Sequence, residues 1–312
     1  MQKRGRRHRR TQRAQLTVFI IIGILLIIVG GLAYVFLYRP IGTPTPAAQL
    51  STTRTAMEGL LRSCLDSALF GGAHLIALQG GYIDVSGSAT YGDPGETELA
   101  AEAGPAYRLT RGSAAAYGVA LGENRVPSLA VIVEKLKRYT LVEVSRCATF
   151  ESIKQQGYAV RTPDIDWQAV GFDTARASVP YSNKKVDLIL VLTDNDIVAT
   201  LTYPVQASVQ EGTIAVDQVV ASVPLRLALT HSTATRIADN IVAAINTGAI
   251  EYVLTPDCQS LASADRKVNI YVDPGLDPAI QVVDTSTVGV RGPPYTFQYG
   301  VNGISVEGRC DG

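Results

Sequence analysis

No acidic residue precedes Glu58 in this chain of 312 residues, and no residue of either charge lies between Arg13 and Arg39. Eight of the 28 lysines and arginines lie at or before Arg39, which leaves 20 basic and 28 acidic residues in the rest of the chain. The formal charge of zero therefore hides a basic tip joined to a mildly acidic body, whose net charge is −8.

The uncharged stretch is apolar over 22 residues, from position 16 to position 37. A helix of that length measures roughly 33 Å, close to the ~30 Å hydrocarbon core of a bilayer. Because Lys and Arg collect on the cytoplasmic side of membrane spans, the sequence predicts a basic cytoplasmic tip over residues 1–15 and a transmembrane helix over residues 16–38. A cleaved secretion signal is disfavoured, since its apolar region measures only about 7–15 residues. The lipid bilayer is thus an expected partner, and nucleic acid is not.

The chain beyond the apolar stretch is predicted to form an extracellular α+β domain over residues 51–312, reached through a proline-rich spacer over residues 39–50. Apolar residues recur at spacings of three and four in three places, which indicates helices that each bury one face. The three predicted helices run from Ser51 or Thr53 to Gly80-Gly81, from Pro127-Ser128 to near Cys147, and from Ser232 or Thr233 to Gly248.

Short apolar runs divided by Pro, Gly and Asp turns replace the helical pattern after residue 158. They predict a mainly antiparallel β-sheet. A domain boundary near residue 158 is compatible with this pattern but is not required by it. Residues 83–125 are rich in Gly, Ala, Ser and Tyr and show neither the helical nor the strand periodicity. They are predicted to form a long insertion at the surface. The predicted strands lie at residues 186–193, 197–205, 213–223, 267–273, 280–285 and 295–302.

The four cysteines, Cys64, Cys147, Cys258 and Cys310, are too far apart in sequence for a zinc knuckle or a redox dithiol. An even number of cysteines outside the cytoplasm predicts two disulfides, for which three connectivities are open. We favour Cys64 with Cys147, because that bridge would join the first two predicted helices across residues 83–125. The remaining pair is then Cys258 with Cys310.

Two histidines, His74 and His231, are the only ones outside the basic tip. His74 lies within an apolar helical pattern, and His231 lies at the start of a predicted helix, so packing and capping are the expected roles. The sequence has no Gly-x-Ser-x-Gly elbow and no cysteine with a nearby histidine. No catalytic residue and no cofactor site is therefore predicted.

Two pairs of aspartates have the spacing that places both carboxylates on one face of a strand: Asp164 with Asp166, and Asp194 with Asp196. Such pairs could serve acid–base chemistry or a hard cation. The second pair, however, lies in a polar Asp-Asn-Asp turn between two apolar runs, where these residue types are common. Both pairs are predicted to be structural, with a membrane-tethered hydrolase or metal-dependent enzyme using them or His74 as an alternative.

The segment before the apolar run resembles the class III signal of archaeal type IV pilin-like proteins. The resemblance is carried by Arg13, Ala14, Gln15 and Thr17, followed by an unbroken apolar helix. It implies processing between Ala14 and Gln15 and assembly into a surface filament. The usual glutamate four residues after the glutamine is replaced here by Phe19, which favours a permanent anchor.

The body is similar to uncharacterised single-pass membrane proteins of archaea, a family to which no activity is assigned. The segments that carry this similarity are the Cys64 helix ending in LIALQGGYI, the run from Cys147 through Phe150, Lys154 and Gly157-Tyr158, the pair Tyr203-Pro204, and PYTFQY.

Together these features predict a membrane-anchored cell-surface protein that acts by binding or assembly. Its expected partners are copies of itself or other surface proteins. The alternatives that stay open are the filament subunit and the tethered enzyme.

Overall fold

The computed structural model describes residues 23–31, 46–83, 107–108, 114–165, 177–178, 185–210, 212–254, 258, 267–273, 278–287 and 293–310. The chain divides into two compact units, Met1–Thr52 and Thr53–Gly312. Every feature discussed below as a site lies in the second unit.

The predicted transmembrane helix is corrected by the structure. Of residues 16–38, the structure describes 23–31, which are helical. Within the described ranges, no helix has both the length and the apolar character that a bilayer span requires. The predicted tip over residues 1–15, with the processing site at Ala14 and Gln15, lies outside the described residues.

From Pro46 onward, the described residues form an α+β fold with four α-helices and mixed sheets. The helices are α1 (Pro46–Leu78), α2 (Leu129–Cys147), α3 (Glu151–Gln155) and α4 (Leu227–Asn246). The strands are β1 (Tyr107–Arg108), β2 (Ala114–Ala115), β3 (Tyr117–Ala120), β4 (Glu123–Asn124), β5 (Ala159–Arg161), β6 (Asp164–Ile165), β7 (Ala177–Ser178), β8 (Asp187–Leu192), β9 (Ile197–Val209), β10 (Gly212–Val223), β11 (Glu251–Val253), β12 (Val268–Asp273), β13 (Ala279–Asp284), β14 (Tyr295–Val301) and β15 (Ser305–Glu307).

Helix α1 ends where its sequence predicts but begins earlier. Gly80 and Gly81 both have positive φ, and the amide of Gly81 donates to the carbonyl of Ile76 at 2.8 Å, which closes the last turn. The helix begins at Pro46 instead of Ser51, so part of the predicted spacer is helical. Proline suits a first helical turn because no backbone N–H is needed there.

Helix α4 also begins earlier than predicted, at Leu227. The predicted cap residue Ser232 lies inside the helix, where its hydroxyl donates to the carbonyl of Leu229 at 2.9 Å. Hydroxyl side chains compete for helix carbonyls in this way as well as capping helix ends. The fourth helix, α3, was not predicted, because five residues are too few to show a helical period.

Most strand pairs of the described residues are antiparallel, as predicted, but the strands form several sheets and two of the pairs are parallel. A five-stranded sheet has the order β12-β13-β14-β3-β4, and β14 and β3 within it run parallel. A further parallel pair joins β11 to β15. Strands β3 and β4 come from the stretch that was expected to lack regular structure, which is why the parallel pair was missed.

A four-stranded sheet places β9 at its centre, with β10 on one side and both β8 and β5 on the other. All of its pairs are antiparallel. Its inner face is apolar and includes Leu188, Ala199, Leu201 and Ala221, all buried. Helix α2 packs against β8.

The five-stranded sheet is held to α1 and α4 by tyrosines of β14. Tyr295 donates its hydroxyl to the carbonyl of Ala73 in α1 at 3.4 Å, and Tyr299 donates to the carbonyl of Ala234 in α4 at 3.2 Å. Both tyrosines are fully buried. Their polar ends are thus satisfied within the core, as buried tyrosines require.

Two disulfides close the fold. Cys64 of α1 is bonded to Cys147 at the end of α2, and Cys258 is bonded to Cys310. These are the two pairs favoured from the sequence. Extracellular domains retain such bonds, whereas the reducing cytosol does not.

Candidate functional site

His74 is held between aromatic rings. Its ring centroid lies 4.5 Å from that of Phe70 and 5.2 Å from that of Tyr295. Its Nε2 atom is buried and makes no hydrogen bond within the described part of the chain. The position suits a packing side chain.

His231 also packs into the core. Its Nε2 donates to the carbonyl of Pro127 at 2.7 Å, and its ring lies edge-on to Phe297 at 5.7 Å. All four cysteines are in disulfides, so no thiol is free to act as a nucleophile.

We expect the free energy of unfolding to fall as the pH drops from 7.5 to 5.5. Burial lowers the pKa of both His74 and His231 below 6.5, and the hydrogen bond to Pro127 offsets part of the change for His231. As the pH falls through the pKa that these histidines have in the unfolded chain, the unfolded chain therefore binds more protons than the folded chain. This proton binding stabilises the unfolded chain relative to the folded chain. Urea unfolding at the two pH values checks this.

The matched control is the double variant His74→Gln/His231→Gln. It should show a smaller loss of stability between pH 7.5 and pH 5.5 than the original chain. An identical pH dependence in the two proteins would contradict the assignment to these histidines.

The aspartate pairs do not form a site in the described residues. Asp194 and Asp196 lie in the turn between β8 and β9, where the Asp196 amide donates to the hydroxyl of Thr193 at 2.9 Å. Asp164 begins β6, and Asp166 lies outside the described residues. Among the described ranges, no three His, Cys, Asp or Glu side chains come together as metal ligands would.

Buried charges that the sequence did not reveal have structural partners. Lys135 is 1% exposed, and its Nζ lies 3.7 Å from the centre of the Tyr82 ring. Asp284 is fully buried beside Arg226, with 3.6 Å between Oδ1 and Nη1. Burial, together with the charge of Asp284, raises the pKa of Tyr295. These contacts depend on residues distant in sequence.

A cleft of about 580 Å³ lies between α1 and β10. One wall is a helix surface, and the other is the last part of a strand. Its lining residues are Gly59, Arg62, Ser63, Asp66, Val220, Ala221 and Ser222.

The helix wall is a stripe of small and charged residues. Gly59, Arg62, Ser63 and Asp66 follow the spacing of one helix face, next to the buried face that contains Leu65. A Cβ added at Gly59 would meet no atom within 4 Å. The cleft therefore has open space above Gly59 and an exposed cation at Arg62.

The strand wall is an edge of the four-stranded sheet. In the described part of the chain, β10 pairs with β9 alone. The Thr193 amide donates to the carbonyl of Asp196 at 2.9 Å, which makes this a hydrogen-bonded pair of the β8–β9 hairpin. Hydrogen-bonded and non-bonded pairs alternate along an antiparallel ladder, so Val191 and Val198 form the next hydrogen-bonded pair.

The same alternation fixes the direction of the β10 backbone. Since the backbone of Val198 faces β8, that of its neighbour Ala199 faces β10 and pairs with Ala221. The amides and carbonyls of Val220 and Ser222 consequently point away from β9. Among the residues that the structure describes, no strand pairs with them at the cleft.

Comparison with known proteins finds no match to a family model, to a curated protein or to a solved structure. The cleft itself therefore carries the functional argument.

Proposed function

We propose that this protein acts at the cell surface by binding an extended polypeptide segment in the cleft between α1 and β10. The observation that carries the proposal is the edge position of β10, with Val220 and Ser222 presenting backbone groups to a cleft. A strand added to a sheet edge gains main-chain hydrogen bonds regardless of its sequence. The two disulfides support a location outside the cytoplasm.

The side chains of the cleft favour a particular kind of segment. Arg62 is exposed, whereas Asp66, the other charged residue of the cleft, is half-buried, so the accessible charge is the guanidinium, which suits an acidic side chain of the bound segment. The small residues Gly59, Ser63 and Ala221 leave room for side chains that alternate toward the helix. We therefore infer an extended, acidic segment as the preferred ligand.

The two alternatives have less support. A hydrolase would need His74 or the aspartates in a site with further catalytic groups, whereas His74 lies between two aromatic rings. Within the described residues, no third His, Cys, Asp or Glu joins the aspartates as a metal ligand would. A filament subunit processed before Gln15 stays a prediction, since Gln15 lies outside the described residues.

A displayed library of random heptapeptides, panned on the oxidised full chain, tests the proposal. We expect enrichment of acidic peptides free of proline. Gly59→Trp should abolish their binding, because the indole fills the space above the helix, and Gly59→Ala should retain it. Arg62→Glu should weaken binding of the acidic peptides at least tenfold.

Two outcomes would contradict this function. One is a failure to enrich any peptide over a bare support. The other is equal binding of the enriched peptides to the Gly59→Trp and Gly59→Ala variants, which would place the ligand elsewhere.

A further inference from the structure

We propose that two copies of this chain associate through β8, with their β8 strands antiparallel across a two-fold axis. This surface is separate from the cleft, because β8 and β10 lie on opposite sides of β9. In the described residues β8 pairs with β9 alone, so its other edge is open. The dimer would contain a continuous sheet with β8 of each copy at its centre.

The backbone of β8 fits such a pairing. Because Ile189 and Val191 face β9, the amides and carbonyls of Leu188, Leu190 and Leu192 point away from it. Placing Leu190 opposite Leu190 of the second copy brings Leu188 opposite Leu192 of the second copy. All three outward residues then take part in hydrogen-bonded pairs.

The exposed side chains of β8 are matched in the same register. Ile189 is 53% exposed and Val191 is 54% exposed, both on the outer face of the sheet. Ile189 of one copy lies opposite Val191 of the other, and the reverse contact follows by symmetry. Cross-strand pairs of β-branched residues stabilise antiparallel sheets.

The charges at the two ends of β8 select the antiparallel direction and a second copy as the occupant. Lys185 precedes the strand and is exposed, whereas Asp194 and Asp196 follow it in the turn. In the proposed register Lys185 lies near the end of the second copy's β8, next to the turn that holds that copy's Asp194 and Asp196. A parallel arrangement would instead bring like charges together at each end.

Pairing of the two β8 strands replaces one hydrogen bond that exists within each copy. The Asp187 carboxylate now accepts a hydrogen bond from the Leu188 amide at 2.8 Å, which covers this part of the edge. Acidic side chains commonly protect sheet edges in this way. In the dimer, the amide of Leu188 donates instead to the carbonyl of Leu192 of the second copy.

Sedimentation of the oxidised full chain tests the pairing, with a non-ionic detergent present because of the apolar run over residues 16–37. We expect a concentration-dependent dimer. Val191→Glu should raise its dissociation constant at least tenfold. The double variant Ile189→Lys/Val191→Glu should restore the dimer, because each lysine then faces a glutamate of the other copy.

Val253→Glu is the matched control, since Val253 is 47% exposed on β11, a strand outside this sheet. It should leave the dissociation constant unchanged. A monomer at every concentration, a dimer insensitive to Val191→Glu, or a double variant that stays monomeric would overturn the proposal. Peptide binding in the cleft is measured separately, and Val191→Glu should not change the affinity for the peptide.

Discussion

Replacing Cys64 and Cys147 together by alanine should lower the free energy of unfolding by about 4 kcal/mol. The bridge joins residues that are 83 apart in sequence, so it removes a large loop from the freedom of the unfolded chain. Cys64 is also in the core, since it is 1% exposed, whereas Cys147 at the end of α2 is exposed. Urea unfolding of the oxidised full chain measures the change.

The second bridge gives the comparison for this prediction. Cys258 and Cys310 are 52 residues apart, so the corresponding double alanine variant should lose slightly less stability in the same experiment. Reduction of the original protein should reproduce both losses. A loss below about 1 kcal/mol for the Cys64 and Cys147 variant would show that the bridge does not constrain the unfolded chain.

Substituting Gly118 by alanine should destabilise the protein by about 3 kcal/mol. A Cβ at this position would lie 2.4 Å from Cδ2 of Tyr299, whose ring packs directly on the β3 backbone. The ring cannot easily move, because Tyr299 is fully buried and its hydroxyl donates to Ala234. Overpacking therefore displaces either β3 or α4.

Gly59→Ala is the matched control for this substitution. Its added Cβ meets no atom within 4 Å, and alanine is the better helix former, so it should stabilise the chain by about 0.5–1 kcal/mol. Thermal unfolding of the two variants should give shifts of opposite sign. Equal shifts would contradict the close contact between Gly118 and Tyr299.

Local signals in the sequence predicted part of the fold well. The end of α1 was found because two successive glycines at positive φ provide a strong stop. Cys64 and Cys147 were paired because each lies on a helix with a clear apolar period. The start of α4 was missed because Ser232 bonds within its helix, and local sequence does not distinguish that role from a cap.

The parts of the fold that depend on distant residues were not predicted. The parallel contact of β3 with β14 joins residues 117–119 to residues 300–301, and no local pattern announces it. The edge position of β10 likewise follows from the strand order, although its alternating pattern was recognised. The cleft could not be found from the sequence, because it needs both that order and the placement of α1.

The length of an apolar run was a poor guide to the first unit. A run of 22 residues predicted a membrane span, whereas no helix among the described residues is long and apolar enough to cross a bilayer. The functional proposal consequently rests on the second unit.

Amide hydrogen exchange of the full chain, with and without a peptide selected on it, tests strand addition to β10 most directly. The proposal predicts that exchange at Val220 and Ser222 slows at least tenfold when the peptide binds. Exchange at Val219 and Ala221 should change little, because their amides already face β9. Bound peptide with unchanged exchange at Val220 and Ser222 would contradict the proposed function.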